Sequence, residues 1–378
     1  MIMFQIAFIG YGRRAEHIWE KMLKPLGACE LTAIADPRAE KLAVTLADTL
    51  PNCRFYSTAE EMLEKESLSG VVIGTGCNLH TKYAKLVAKY DLPLYLEKPV
   101  CIDEEQLAEI TEILPQMNDK TVVSFPLRVS DLFLAVKEML DSGCIGEIAQ
   151  IQAINNVSYG RCYYHGWYRD DSQTGGLFLT KATHDLDYLL LLAGADAPKA
   201  VSAMESKMVF RGNKPAGLLC KDCPDAAACP ESLDKIPDDD PQAYGSWCCF
   251  AEDTGNHDSA TVMMQFENGM HIVYTQNFIV RKKAGKRGAR LIGFKGTLEF
   301  DFYTNTITLI DHFSNEVKTV YLQKKKGHGA GDFILGQNFI DVMAKKATSI
   351  ATLADGILSA EVCLAAKRSA QTNTFVSL

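Results

Sequence analysis

No apolar run in these 378 residues approaches the ~20 that a membrane-spanning helix needs, so a helical span is not expected. There is no basic surplus either; a net charge of −8 argues against nucleic acid as the main partner. The apolar stretch Phe4–Gly10 lacks the basic start of a signal peptide and reads instead as a first strand. No internal repeat, low-complexity tract or flexible linker interrupts the chain. Cysteine is the exception to these scarcities, at twelve. Seven of the twelve (Cys29, Cys53, Cys77, Cys101, Cys144, Cys162 and Cys363) show no pairing pattern, the usage of a reducing compartment, so a cytoplasmic protein is expected. What remains is 47% hydrophobic and 23% charged, ordinary for a globular protein and long enough for two domains with real cores.

Strand Phe4–Ile9 runs into Gly10-Tyr11-Gly12-Arg13-Arg14-Ala15 and then a helix to about Leu23. This is the dinucleotide-binding turn with alanine at its third small position. Gly10 permits the tight turn, Gly12 lets backbone approach a pyrophosphate, and Ala15 allows close helix–strand packing. The helix N-terminus offers free N–H groups to phosphates. A second strand, Leu31–Ala35, ends in Asp36, 26 residues after Gly10, near the distance at which a carboxylate grips the adenine ribose. An acid there favours NAD, while Arg38 with Arg13 and Arg14 keeps NADP possible. The other reading of Asp36 is a helix cap before Pro37 and a helix over 38–49. A helix over 58–65, the strand Gly70–Ile73, the loop Thr75-Gly76-Cys77-Asn78-Leu79-His80 and a helix over 81–90 follow. Thr75, Asn78 and His80 are thereby expected at the same sheet edge as Gly10.

The apolar run Leu92–Leu96 stops at Glu97-Lys98-Pro99. Proline disfavours helical geometry for the residue before it, so Lys98 is held extended past a buried strand. An ammonium at a strand end beside a cofactor can trade a proton with a substrate hydroxyl, and partial desolvation near a cationic ring lowers its pKa toward working pH. A surface lysine in a βα loop is the plainer alternative. One more strand, Thr121–Ser124, completes a doubly wound sheet.

The glycine turn, the Thr75-x-x-x-x-His80 loop and Glu97-Lys98-Pro99 together resemble the Gfo/Idh/MocA family of NAD(P)-dependent oxidoreductases. The family's usual loop has proline where this chain has Gly76. The resemblance covers nearly the whole chain and implies an α/β fold: a Rossmann domain over 1–124, then an α+β domain over 125–378 with a large, open, mainly antiparallel sheet. It implies that Lys98 meets both nicotinamide and substrate, and that Gly10, Tyr11, Gly12, Arg13, Arg14, Asp36, Thr75, Asn78, His80 and Glu97 surround the cofactor. Arg128, in Phe125-Pro-Leu-Arg128, and His328, in His328-Gly-Ala-Gly-Asp332, match segments that border the substrate site. A homodimer or homotetramer built on the open sheet face is also implied.

In the second half, Tyr159-Gly-Arg161-Cys-Tyr-Tyr-His-Gly-Trp167-Tyr-Arg169-Asp-Asp mixes rings and polar groups, which suits stacking on sugar faces and bonding to hydroxyls. An interface or a long surface loop fits equally well. Thr180, His184 and Asp187 follow i, i+4, i+7 spacing on one helix face. The tract resembles the family's Gly-Gly-…-Asp-x-Gly-x-His-x-x-Asp, in which the histidine meets the oxidised hydroxyl. Here Thr180 replaces the aspartate and Lys181 follows, resembling a subgroup with Lys-x-x-His-Asp-x-Asp. Lys98, His184 and Lys181 are the expected catalytic groups, the last to polarise an oxygen or stabilise an enolate.

Cys220, Cys223, Cys229 and Cys248 are spaced C-x2-C-x5-C-x18-C, as in a closed tetrathiolate site, and the same subgroup carries a similar cluster. A structural zinc is expected; disulfides or free thiols are the alternatives. Around Asp238-Asp239-Asp240 the segment has little apolar content to hold it. Farther on, Thr261–Phe266, Glu267-Asn-Gly and His271–Phe278 read as a hairpin, and 281–290 as a solvated basic loop. The function expected is oxidation or reduction of a secondary alcohol of a sugar, glycoside or cyclitol. The alternatives are glycoside cleavage through transient oxidation and elimination, or a nucleotide-sensing regulator without catalysis.

Overall fold

Short apolar strands covered on both faces suit a parallel sheet beneath helices, and the chain opens with a six-stranded one. The computed structural model describes residues 3–194, 197–235, 245–323 and 330–378. They divide into two units: Met1–Asp131 with Lys325–Glu361, and Leu132–Lys324 with Val362–Leu378.

In the first unit the strands are β1 (Phe4–Ile9), β2 (Cys29–Ala35), β3 (Arg54–Tyr56), β4 (Gly70–Ile73), β5 (Leu94–Leu96) and β6 (Thr121–Val123). Their order is β3-β2-β1-β4-β5-β6, all parallel, so the chain changes direction of travel between β1 and β4. That crevice is where doubly wound sheets bind nucleotides. β4, β5 and β6 are buried along their whole length. The expected strand from Leu92 is shorter, because Pro93 contributes a carbonyl to Val71 and has no N–H to give. The helix after Gly12 runs Arg13–His17, widens into a π-type turn over Ile18–Leu23 and ends at Gly27, whose φ is +65°. Thr58 caps the helix Ala59–Lys65 through a bond from the Glu61 N–H. The helix Gly331–Met343 packs against the sheet: Phe339 meets Tyr95 edge-on at 5.9 Å, and a Cβ on Gly70 would lie 2.7 Å from the Met343 sulfur.

The second unit holds β7 (Ile148–Asn156), β8 (Ala200–Ser206), β9 (Ser259–Gln265), β10 (His271–Asn277), β11 (Lys286–Gly293), β12 (Gly296–Asp301), β13 (Thr306–Asp311), β14 (Val317–Tyr321) and β15 (Val376–Ser377). They form one sheet in the order β14-β13-β12-β11-β7-β10-β9-β8-β15. Only the central β7–β10 pair is parallel; the remaining pairings are antiparallel. The Asn-Gly turn makes the expected hairpin between β9 and β10, with Gly269 at φ +87°. Burial alternates along the central strands. Ile151, Ala153 and Asn155 of β7, Tyr274 and Gln276 of β10, and Arg287 and Ala289 of β11 are buried. The helix Thr183–Leu192 packs within this unit through Tyr188, whose ring meets Phe300 at 6.0 Å. The other face is polar, with Gln150 bonded to His271 at 2.9 Å.

The stretch expected as a solvated basic loop is corrected here: Lys286–Arg290 belongs to β11 and Arg287 is buried. His328 and Asp238–Asp240 lie outside the described residues.

Candidate active site

In the first unit the strand ends are stitched together by backbone bonds, Gly10 N–H to Ala35 (2.8 Å), Gly74 N–H to Ile9 (3.0 Å), Glu97 N–H to Ile73 (3.2 Å) and Ser124 N–H to Leu96 (2.9 Å). Gly10 sits at φ +78°, and a Cβ there would lie 2.7 Å from the Thr75 methyl, so only glycine fits both the turn and the neighbour. Beside Gly12 a Cβ would meet nothing within 4 Å, which leaves room for a ligand to approach the backbone. Ala15 nests against Gly74, whose added Cβ would lie 3.0 Å from that of Ala15.

Asp36 is buried and accepts the Tyr11 N–H at 2.9 Å. Arg38 closes on it with two side-chain bonds, 2.8 and 2.9 Å, from a side chain that is itself more than half exposed. Burial opposes ionisation of Asp36, yet the bonds from Arg38 and the backbone hold its carboxyl below the usual range. A carboxylate fixed at this strand end fits the ribose hydroxyls of NAD, and Gly12 fits the pyrophosphate.

Arg14 turns inward. Its guanidinium bonds Glu97 (2.7 Å), Ser124 (3.1 Å) and Asp332 (2.9 Å). Glu97 is buried, which raises its proton affinity, but Arg14 and Lys98 together keep it below the ordinary value. Both ring nitrogens of buried His80 lie near carbonyl oxygens, Pro99 at 2.7 Å and Thr75 at 3.3 Å, and the single N–H of a neutral ring can serve only one of them. Burial lowers its pKa and keeps it neutral. The Lys98–Pro99 bond is cis, and Lys98 is half-buried at the end of β5. Asn78 is half-buried and its carbonyl accepts from Gln106 at 3.0 Å. Arg13 is exposed. Arg128 is buried in an ion pair with Asp355 at 2.8 Å and also donates to Ile350.

In the second unit, Phe178–Ala182 is a second widened turn that leads into Thr183–Leu192. It breaks the regular spacing on which a common face for Thr180, His184 and Asp187 rested. Thr180 is buried with its hydroxyl on the Gly176 carbonyl (2.9 Å), His184 is half-exposed, and Asp187 is buried. Lys181 is 4% exposed, bonds the hydroxyl of Tyr159 and lies over the rings of Tyr159 (4.5 Å) and Tyr163 (6.0 Å). The carboxylate of Asp185, one turn on, is committed elsewhere. It takes bonds from Asn155 (2.6 Å), Tyr274 (3.0 Å) and Arg287 (2.7 Å). Burial, with the charge of Arg287, outweighs Asp185 and lowers the Lys181 pKa to about 7. Burial likewise pushes the Tyr159 phenol up to about 12.

Within the aromatic tract Tyr159 meets Lys181 and packs, with Tyr168, against a buried cluster that holds Cys162, Tyr163, Tyr164, Phe210 and Phe278. Trp167 stacks on Tyr168 at 4.2 Å and is 45% exposed. Arg161 pairs with Glu231 (2.9 Å), and buried Arg169 pairs with Asp253 beneath Trp247. These two arginines are not gathered with Tyr159. Arg287, Asn155 and Tyr274 were invisible to motif reading, because nothing local marks a strand residue that bonds a helix carboxylate 102 positions away in sequence.

The zinc expectation is not supported. Cys220, Cys223, Cys229 and Cys248 are free thiols that line a cavity of about 300 Å³ with Cys249, Lys214 and Asp225. Among the described residues no three His, Cys, Asp or Glu groups converge to hold a metal. Burial raises the Cys248 thiol pKa, and the neighbouring Cys223, Cys220 and Cys229 add to the rise. Ion pairs tie this segment down, since Glu231 accepts from both Arg161 and Arg281.

Residues 4–125 match a family model described as oxidoreductase family, NAD-binding Rossmann fold, and residues 133–299 match the GFO/IDH/MocA C-terminal domain. Oxidoreductase P35 of Formosa agariphila is 22% identical over 277 residues, 72% of this chain and 71% of its own. The NAD-dependent scyllo-inositol 2-dehydrogenase of Bacillus subtilis is 23% identical over 201 residues, 50% of this chain and 54% of its own. Among solved structures, levoglucosan dehydrogenase in complex with NADH and levoglucosan superposes with a TM-score of 0.76 at 17% identity, over 99% of both chains. No helix among the described residues is long and apolar enough to cross a membrane.

Proposed function

Because the chain belongs to the Gfo/Idh/MocA family of oxidoreductases, we propose that it moves hydride between NAD and a secondary alcohol carbon of a sugar, glycoside or cyclitol. The observation that carries this reading is the nucleotide edge of the first unit: open space at Gly12, a fixed Asp36 carboxylate and Lys98 at one strand end. The inositol and levoglucosan dehydrogenases among its relatives and structural neighbours support the substrate class. Bound there, NAD supplies the hydride acceptor. The chain supplies the rest. Gly12 and the helix start after it receive the pyrophosphate, Asp36 accepts the ribose hydroxyls, and Lys98 and His184 bind and deprotonate the alcohol. Glu97, ionised beside Arg14, keeps charge near Lys98 balanced.

The test is absorbance at the NADH wavelength with NAD across a panel of sugars, glycosides and cyclitols. Reduction by at least one polyol is expected; none across the panel defeats the reading. Lys181 favours a second reading. A buried amine next to Thr180, which stands where the family has its aspartate, is suited to remove a C–H proton next to a newly formed ketone, which leads to elimination of a glycoside without net NADH. Release of aglycone with no net NADH would select it.

A further inference from the structure

Cys220-Lys221-Asp222-Cys223 folds as a single 3-10 turn over Cys220–Asp222, with the Cys223 N–H on the Cys220 carbonyl at 3.2 Å. Side chains three apart eclipse in such a turn, and its end Cα atoms lie within about 7 Å, the reach of a disulfide. Pro224 follows, and Cys223 accordingly leaves the turn extended, at φ −81° and ψ 123°. The two sulfurs differ in access. Cys223 is half-exposed beside exposed Lys221, Asp222 and Pro224, whereas Cys220 is buried. Cys220 Sγ accepts the Leu233 N–H at 3.3 Å and donates to Ser232 Oγ at 4.0 Å, so it is pinned in place. Lys214 pairs with Asp225, whose hydrogen bond raises the lysine pKa, and the sulfurs of Cys223 and Cys248 add to the rise. A lasting cation therefore faces Cys223. The other sulfurs of the cavity are less apt. Burial raises the thiols of Cys248 and Cys249, and Cys229 lies outside the turn.

We propose that Cys220 and Cys223 are a thiol–disulfide exchange site for low-molecular-weight disulfides, with Cys223 attacking and Cys220 closing the bond. Cys223, as the thiolate, attacks one sulfur of the external disulfide. That S–S bond breaks, one external thiolate leaves and takes up a proton, and a mixed disulfide remains on Cys223. Cys220 then gives its proton to water and attacks the Cys223 sulfur across the turn. The mixed S–S bond breaks as the Cys220–Cys223 bond forms, and the second external thiol leaves with a proton. In all, two thiols of the chain are oxidised by two electrons and one external disulfide is reduced to two thiols. Excess external thiol runs both steps backwards. Lys214 attracts the charge on the attacking sulfur, and the Leu233 N–H supports that on the closing one. The site lies wholly within the second unit and uses neither NAD nor a polyol.

Peptide mapping tests this on the full chain, incubated with glutathione disulfide, quenched in acid and alkylated. The wild type should yield a Cys220–Cys223 bond, two hydrogens lighter than the reduced peptide and undone by dithiothreitol. Cys220→Ser should stop at the mixed disulfide, with glutathione on Cys223. Cys223→Ser should leave Cys220 free of glutathione over the same time, and Cys248→Ser should still form the bond. The wild-type map stands whether or not the variants fold. A wild type in which both sulfurs remain alkylatable, or in which either one bonds Cys229 or Cys248 instead, overturns the site. Glutathione reaching Cys220 in Cys223→Ser as fast as it reaches Cys223 in Cys220→Ser overturns the choice of attacking sulfur. With no NAD or polyol present, each of these outcomes leaves the dehydrogenase reading where it stood.

Discussion

Arg287 donates through Nε to Oδ1 of Asp185 at 2.7 Å, and both side chains are almost wholly buried. A buried ion pair contributes little net stability against an apolar replacement, but removing one partner strands a charge. Arg287→Met should therefore cost about 3–5 kcal/mol in urea unfolding, and the double variant with Asp185→Leu should recover much of it. Additive losses in the double variant would show that the two residues act separately.

The amine of Lys181 has a folded pKa of about 7 against 10.5 for an ordinary lysine. Between those values the unfolded chain binds the proton and the folded chain does not, so stability rises with pH. The contribution is fully present above pH 10.5 and is lost as pH falls through 7. The stability of wild type minus that of Lys181→Met should thus increase from pH 7 to pH 9. A flat difference would mean that the lysine stays charged when buried.

NAD should bind more tightly than NADP, because Asp36 is held ionised where a 2′-phosphate would sit. Fluorescence titration of both cofactors measures this. In Asp36→Ser the preference should shrink or reverse, since Arg38 loses its partner and is exposed enough to reach a phosphate. A wild type that prefers NADP would mean that Arg38 governs the site.

Lys98→Ala and His184→Ala should each lower kcat by about 100-fold with the fold retained, the usual scale for a positioned proton-transfer group. NAD affinity should change little in the histidine variant. Near-normal turnover in either variant removes that residue from the mechanism.

The nucleotide-binding half was legible because its cues are local. A glycine turn, short continuous apolar runs and an acid at a strand end are written within a few positions of one another. β3 escaped notice because three residues carry no period. Arg14 was read, with Arg13 and Arg38, as able to tolerate the 2′-phosphate of NADP, yet partners at 97, 124 and 332, distant in sequence, draw it inward. The same holds for Arg287, one basic residue in a basic run until a helix carboxylate claims it. The cysteine spacing suggested a metal, but spacing along a chain does not determine where four sulfurs point. Lys181 was legible as a departure from a motif; that its partner is Tyr159 came only from the fold.

The widened turn over Phe178–Ala182 holds one residue more than regular helix would need there. Read as engineering, it is a phase adjuster. Deleting one residue would restore the regular helix and rotate everything before it by about 100° relative to Thr183–Leu192. Lys181 would then leave Tyr159 while His184 kept its place, separating the two by register alone, with neither side chain altered.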